Sequence, residues 1–117
     1  MQIQLSKVKL KKLKEVVGEL LETNLGEITN DVQVHLHDDY IIVVADCTIT
    51  PAEQIMMQKD KNRNLFLFYK IKQYNIIKNA FREKIEKIIN YKIEDTSTKF
   101  AKNGMRTITI WLGNRLN

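Results

Sequence analysis

Two neighbouring runs of alternating apolar residues, 32–37 and 40–49, restrict the fold of this chain more than any other part of its sequence. Alternation with a period of two is typical of β-strands that bury one face. Asp38 and Asp39 separate the runs, and a two-residue turn at this point makes a β-hairpin. The apolar residues of both strands then share one face: Leu36 opposite Ile41, Val34 opposite Val43, Val32 opposite Ala45, with Cys47 and Ile49 beyond them. This shared face supports the position of the turn. A shift of the strand pairing by one residue would turn the apolar side chains of one strand to the opposite face.

The opposite face of the hairpin is more apolar than a water-facing sheet surface usually is. Its residues are His35, His37, Tyr40, Ile42, Val44 and Asp46. A surface of this composition is typical of one that a partner or a second subunit covers in part. We therefore expect Ile42 and Val44 to lie at an interface.

A helix start follows the hairpin directly, in the stretch Thr50-Pro51-Ala52-Glu53. Thr50 suits an N-cap, Pro51 suits the first helical position because its missing N–H costs nothing there, and Glu53 can close a capping box. We interpret this stretch as a structural junction that turns a strand into a helix. A catalytic Glu53 is the alternative, and nothing else in the stretch supports such a role.

Helices occupy most of the remaining sequence. Apolar residues at spacings of three and four predict a helix over 6–23, and a second helix begins at Pro51. The polar run 58–64 is either an exposed turn or a kink in this second helix. From Leu65 the helical pattern continues through Phe66, Lys70, Tyr74, Ile77, Phe81, Ile85, Ile88 and Ile89.

Asn103-Gly104 predicts a second hairpin, between strands 93–101 and 105–112. When the second hairpin is aligned with the first, its loop must be one residue longer. A three-residue loop, 102–104, with Gly104 in the left-handed conformation has this length. The order is then helix, hairpin, long helix, hairpin. We predict an α+β fold of two αββ units, with helices packed on antiparallel sheet, in a single domain spanning 1–117.

The composition of the chain excludes several classes of protein. Of its 117 residues 44% are apolar, enough for a core, so the chain is not disordered. No window approaches the roughly 18 apolar residues of a membrane span, and no signal peptide pattern opens the chain. The single cysteine, Cys47, cannot form an internal disulfide, so we expect a cytoplasmic protein with a buried, unreactive thiol.

The charges are unevenly distributed along the chain. Residues 15–58 carry nine acidic residues and no Lys or Arg, a charge of −9, whereas residues 59–117 carry fourteen basic and five acidic residues, 14 − 5 = +9. Opposite charges favour contact between the two blocks, within one chain or across a dimer. We expect a homodimer.

The sequence contains no recognisable catalytic set. His35 and His37 share a strand face and could both contact a metal, but a zinc site needs three or four ligands, so they are weak candidates beside the alternative of two surface histidines. The four glycines are too scattered for a phosphate loop, and no nucleophile–base motif occurs. We therefore predict a protein that is not an enzyme and needs no cofactor.

Nucleic-acid binding is the second functional hypothesis. Basic and aromatic residues are interleaved over 59–74. Such residues can bind the phosphate backbone of a nucleic acid and stack on its bases. Phe66 and Tyr74, however, also fit the core face of a helix, and the acidic middle block would repel phosphate. A small metal- or ligand-binding domain at the histidines is the third hypothesis.

Several ordered stretches resemble the DUF2294/MpsC family, which takes its name from a Na⁺-translocating, membrane-potential-generating system. The resemblance runs from about Leu13 to Leu112 and includes VQVHLHDDYIIVV, TITPAE, AFREKIEKIINYKIED and TITIWLG. TNLGEI retains one glycine, Gly26, of the family's Gly-rich segment, and INYKIE lacks another, so the chain resembles a divergent member. The resemblance implies a small bacterial cytosolic domain associated with a membrane system for sodium or inorganic-carbon uptake. It does not imply that the chain spans the membrane or catalyses a reaction.

Overall fold

The computed structural model describes residues 3–116 and shows an α+β fold, as predicted. The sheet has four antiparallel strands in the order β1-β2-β4-β3. Two αββ units succeed each other along the chain, and the second has its helix divided in two. The elements are α1 (Lys7–Leu25), β1 (Thr29–Leu36), β2 (Tyr40–Cys47), α2 (Pro51–Met56), α3 (Asp60–Ile89), β3 (Tyr91–Phe100) and β4 (Met105–Arg115).

The first hairpin has the register predicted from the apolar alternation. Leu36 lies opposite Ile41, Val34 opposite Val43 and Val32 opposite Ala45. The strand boundaries differ from the prediction, because β1 starts earlier and β2 ends two residues before Ile49. The amide of Thr48 donates to the carbonyl of Ile28, 2.8 Å away, one residue beyond the paired residues Thr29 and Cys47.

The second hairpin has the predicted three-residue loop. Ala101 N donates to Met105 O over 2.9 Å, and Gly104 has a φ of 90°. A Cβ atom on Gly104 would lie 2.3 Å from the carbonyl oxygen of Cys47, so this glycine is required by space as well as by conformation. Thr98 lies opposite Ile108 and Phe100 opposite Arg106, as the alignment of the two hairpins predicts.

The polar run 58–64 contains both a break and a helix start. Helix α2 ends at Met56, and α3 begins at Asp60, within the run. Asp60 lies in the first turn of α3, where a carboxylate interacts favourably with the helix dipole, and its side chain binds Arg63. Of the two alternatives, the exposed turn is correct for residues 57–59.

Helices α1 and α3 cover one face of the sheet and enclose the core. The C-terminal end of α1 lies beside Tyr69–Gln73 of α3, whereas the stretch Val16–Asn24 lies beside Lys84, so the two helices run antiparallel. The other face of the sheet carries the half-buried residues Ile42 and Val44. The core contains Leu13, Val17, Leu21, Ile41, Val43, Tyr74, Phe81, Ile85, Ile93, Ile108 and Ile110.

Candidate functional site

Three charged side chains lie buried between the helices and the sheet, and each is placed by a different element. Glu27 follows Gly26, which ends α1 in the left-handed conformation with a φ of 65°. Lys70 occupies a core-facing position of α3, and Arg106 occupies an inward-facing position of β4. Together with Glu53 of α2, which reaches Lys70, they form what we call the charge cluster.

Arg106 is the centre of the charge cluster. Its guanidinium binds Glu27 with two hydrogen bonds, Nε to Oε1 at 2.8 Å and Nη2 to Oε2 at 2.7 Å. Nη1 donates to Thr98 Oγ1 at 2.8 Å, and Nη2 also donates to the carbonyl of Lys70 at 3.2 Å. The side chain is fully buried, and its charge is compensated by this bidentate pair.

Lys70 connects two carboxylates. Its Nζ lies 3.1 Å from Glu27 Oε2 and 3.5 Å from Glu53 Oε2. The rings of Phe66 and Phe100 flank the ammonium, with centroids 5.5 and 5.3 Å from Nζ. The cluster therefore contains two cations and two carboxylates, and it is electrically neutral.

Glu53 joins the charge cluster to the start of α2. Its Oε1 accepts from the Thr50 amide at 2.9 Å, and Thr50 Oγ1 accepts from the Glu53 amide at 3.2 Å, so both hydrogen bonds of the capping box are formed. Burial raises the pKa of Glu53, but hydrogen bonds from Thr50 and the charge of Lys70 lower it more, and the result is a pKa below the ordinary value of 4.5. Glu53 is thus held as a carboxylate in the folded chain.

Cys47 lies against the charge cluster without being activated by it. Its Sγ is 3.7 Å from Glu27 Oε1. Burial and the nearby Glu27 carboxylate together raise the pKa of the thiol to about 12, although the charges of Arg106 and Lys70 lower it. A thiol with this pKa is protonated at neutral pH and is a poor nucleophile.

A small polar cavity of about 250 Å³ opens beside the charge cluster. Glu27, Glu53 and Lys70 line it, together with Gln73, whose Oε1 is buried and has no hydrogen-bond partner. The cavity is large enough for a few waters or a very small solute. Every charged group of the cluster already binds another member, so the arrangement favours cohesion of α1, α2, α3 and β4 over acid–base chemistry.

Sequence reasoning did not identify the charge cluster, although two signals were present. Lys70 lies on the apolar stripe of α3, and Arg106 alternates with the inward-facing Ile108 and Ile110. A basic residue at a core position needs a carboxylate partner, since an unpaired buried charge is very costly. The acidic partners come from residues 15–58 and the basic ones from 59–117, so the two charge blocks do meet within one chain.

The predicted metal-binding and interface candidates lie elsewhere, on the outer face of the sheet. His35 and His37 are exposed, and the ring of His37 stacks on Tyr40 with centroids 4.4 Å apart. Among residues 3–116 no group of three or more His, Cys, Asp and Glu is placed to hold a metal ion. Ile42 and Val44 lie on this outer face, half-buried in the single chain.

A second exposed surface lies on the helices and was not predicted. We call it the elbow patch, because it spans the bend between α2 and α3. Phe68 is 58% exposed and Ile76 is 84% exposed, unusually high values for large apolar side chains. Phe66 and Tyr74, the other aromatic residues of the basic stretch 59–74, are buried in the core. The elbow patch consists of Ile55, Met56, Leu65, Phe68, Tyr69 and Ile76.

Comparison with known proteins agrees with the resemblance seen in the sequence. Residues 6–114 match the family model described as Na⁺-translocating membrane potential-generating system (MpsC). No curated protein and no solved structure matches the chain. Within residues 3–116, none of the helices is both long and apolar enough to cross a bilayer. Because the match covers nearly the whole chain, this protein belongs to the MpsC family.

Proposed function

We propose that this chain is a non-enzymatic, cytoplasmic accessory domain that acts by binding partners in a Na⁺-translocating, membrane-potential-generating system. Family membership supports the setting. The binding role is supported by a contrast between the surface of the chain and its interior. The four charges of the cluster are bonded to one another, while large apolar side chains remain exposed on the elbow patch.

The charge cluster supports this role because it holds four elements in a fixed arrangement, and we call this arrangement the frame. It ties the end of α1, the start of α2, the middle of α3 and strand β4 to one another through Glu27, Glu53, Lys70 and Arg106. Buried, fully bonded polar networks favour a single arrangement of the elements that they join. A rigid frame presents the exposed surfaces in a constant geometry, which lowers the entropic cost of binding.

The binding role includes a homodimer formed through the outer face of the sheet. Ile42 and Val44 lie on the central strand β2, with Thr107 and Thr109 opposite them on β4. An antiparallel sheet tolerates one face in water, but β-branched apolar residues at the centre of that face favour its burial against another sheet. Two copies can contribute the same surface to each other around a twofold axis.

Complementation in the native host tests the accessory role. We expect deletion of the gene to lower the sodium-dependent membrane potential, measured with a potential-sensitive dye, and the wild-type gene to restore it. The variant Cys47→Ala/His35→Gln/His37→Gln removes the thiol and both imidazoles, and it should restore the potential equally well. Loss of function in this variant, with circular dichroism unchanged, would argue for chemistry at these side chains.

Nucleic-acid binding is the alternative, and the excess of basic residues in 59–117 favours it. The burial of Phe66 and Tyr74 leaves fewer rings for stacking on bases. A salt titration with generic RNA distinguishes the two functions. A nucleic-acid protein should bind at low salt and weaken steeply as salt rises, whereas an accessory domain should show no saturable binding.

A further inference from the structure

The N-terminal part of the elbow patch lies where α3 extends past the end of α1, whereas Ile76 lies farther along α3, on the same outward face. The end of α1, at Leu25 and Gly26, lies beside Tyr69 and Gln73. The preceding turns of α3, which include Leu65 and Phe68, therefore extend past the end of α1, and α2 lies on that side of the molecule. The exposed apolar side chains Phe68 and Ile76 of α3 lie on the face opposite the buried Phe66 and Tyr74, and we call this face the ridge.

The uncompensated charge around the elbow patch is positive. Residues 54–82 contain seven Lys or Arg residues and one acidic residue, Asp60, which binds Arg63. Lys78 pairs with Asp95, and Lys70 is buried in the charge cluster. Lys59, Lys61 and Lys72 are exposed and form no ion pair within residues 3–116. Any surface that covers the patch must therefore tolerate positive charge, and an anionic surface would bind it best.

Apolar and cationic side chains alternate along the ridge. Phe68, Lys72 and Ile76 follow one another at intervals of four residues and so share a helical face. The ammonium of Lys72 lies 5.1 Å from the centroid of the Phe68 ring. Such a face matches a surface with anionic groups outside and an apolar layer beneath, because lysine can extend its charge outward while its neighbours enter the layer.

We propose that the elbow patch binds the surface of an anionic lipid bilayer. Phe68 and Ile76 enter the boundary between headgroups and acyl chains, and Lys61 and Lys72 contact lipid phosphates. A second copy of the chain fits this surface less well, because two copies of the same ridge would bring like charges together. This contact is peripheral. It is argued from the same patch as the proposed partner binding, but it does not require the Na⁺-translocating system.

Vesicle co-sedimentation of the full chain tests the apolar part of the proposal. The chain should sediment with vesicles of phosphatidylglycerol and phosphatidylcholine, and remain in solution with phosphatidylcholine alone. Phe68→Ser/Ile76→Ser should lower the partition coefficient by about tenfold or more, because it removes the two side chains that enter the bilayer. The matched control Val8→Ser/Leu116→Ser removes two exposed apolar side chains outside the patch, and should bind like the wild type.

A second pair of variants tests the positions of the charges. Lys61→Gln/Lys72→Gln should weaken binding to anionic vesicles and reduce its dependence on salt. Lys99→Gln/Lys102→Gln removes the same charge from the exposed β3–β4 region and should change binding less. Equal effects of the two lysine pairs would mean attraction to the net charge of the chain, and would overturn the proposal.

Three further results would also overturn it. The first is no binding to anionic vesicles by a folded wild-type chain. The second is wild-type binding by folded Phe68→Ser/Ile76→Ser. The third is a wild-type dimer in lipid-free solution that this variant dissociates, which would assign the patch to a second copy. None of these results bears on the complementation experiment, so failure of lipid binding and failure of the accessory role remain distinguishable.

Discussion

Arg106 is a cation at the centre of an apolar core, and its partners make this position tolerable. The bidentate contact with Glu27 compensates the charge. The hydroxyl of Thr98 and the carbonyl of Lys70 accept further hydrogen bonds from the guanidinium. Such a pair contributes little net stability compared with apolar residues of similar volume. Loss of one partner, however, leaves the buried charge of the other without its main compensation. The arrangement therefore makes the two residues strongly interdependent.

A double-mutant cycle at Glu27 and Arg106 measures this interdependence. We expect Arg106→Leu to lower the free energy of unfolding by about 3–5 kcal/mol, because it leaves Glu27 with Lys70 alone. Glu27→Leu/Arg106→Leu should be less destabilised than the sum of the two single variants, as measured by urea denaturation. Strictly additive losses would contradict the coupling of the two side chains.

Glu53 makes stability depend on pH in the acidic range. Its pKa is lower in the folded chain than its ordinary value of 4.5, so it contributes stability that is complete above that value and lost as the pH falls through the folded pKa. We expect the midpoint of urea denaturation to fall on acidification from about pH 5 to about pH 3, and to fall less in Glu53→Gln. An identical decline in the two proteins would show that Glu53 contributes nothing to acid sensitivity.

At the scale of elements, the cap at Thr50 determines where the α2–α3 segment begins after β2. Thr50 and Glu53 cap α2 reciprocally, and Glu53 also contacts Lys70 of α3. The cap thus orients a helix of only six residues against the much longer α3. This position is structural, and no described contact gives Thr50 a chemical role.

Thr50→Ala should lower the free energy of unfolding by about 1 kcal/mol, because the Glu53 amide loses its acceptor. Thr50→Ser keeps an oxygen at the same position and should retain most of the stability. Chemical denaturation of the three proteins checks both expectations. If Thr50→Ala left stability unchanged but abolished partner binding, capping would be the wrong explanation of this residue.

At the scale of the whole molecule, the helices cover one face of the sheet and leave the other available for a second copy. We expect light scattering at micromolar concentration to show a dimer, with a packed interface of more than about 1,000 Å². Ile42→Lys/Val44→Lys should give a monomer of 13.8 kDa, because it places like charges at the centre of that interface. Asn75→Lys/Ala80→Lys, on the exposed side of helix α3, serves as the control and should remain dimeric. A wild-type chain that stays monomeric at every concentration and salt would remove the proposed dimer.

Sequence by itself determined the local features of this protein. The register of the first hairpin follows from the alternation of residues 32–49, because a shift of one residue would turn every apolar side chain to the wrong face. The three-residue loop at Gly104 and the cap at Thr50 are likewise specified within a few residues. Such features depend on neighbours along the chain. The strand boundaries were predicted less well: β1 begins at Thr29 rather than at residue 32, and β2 ends at Cys47 rather than at Ile49.

Tertiary structure alone decided which charges meet and which apolar residues remain exposed. Glu27 and Arg106 are 79 residues apart, and the bidentate geometry that joins them depends on how α1 ends above β4. Phe66 and Phe68 are both aromatic and two positions apart, yet one is buried and the other exposed. The physical reason is that burial depends on the rotation of α3 against the sheet and on where α1 stops beside it, quantities that no short stretch of sequence contains.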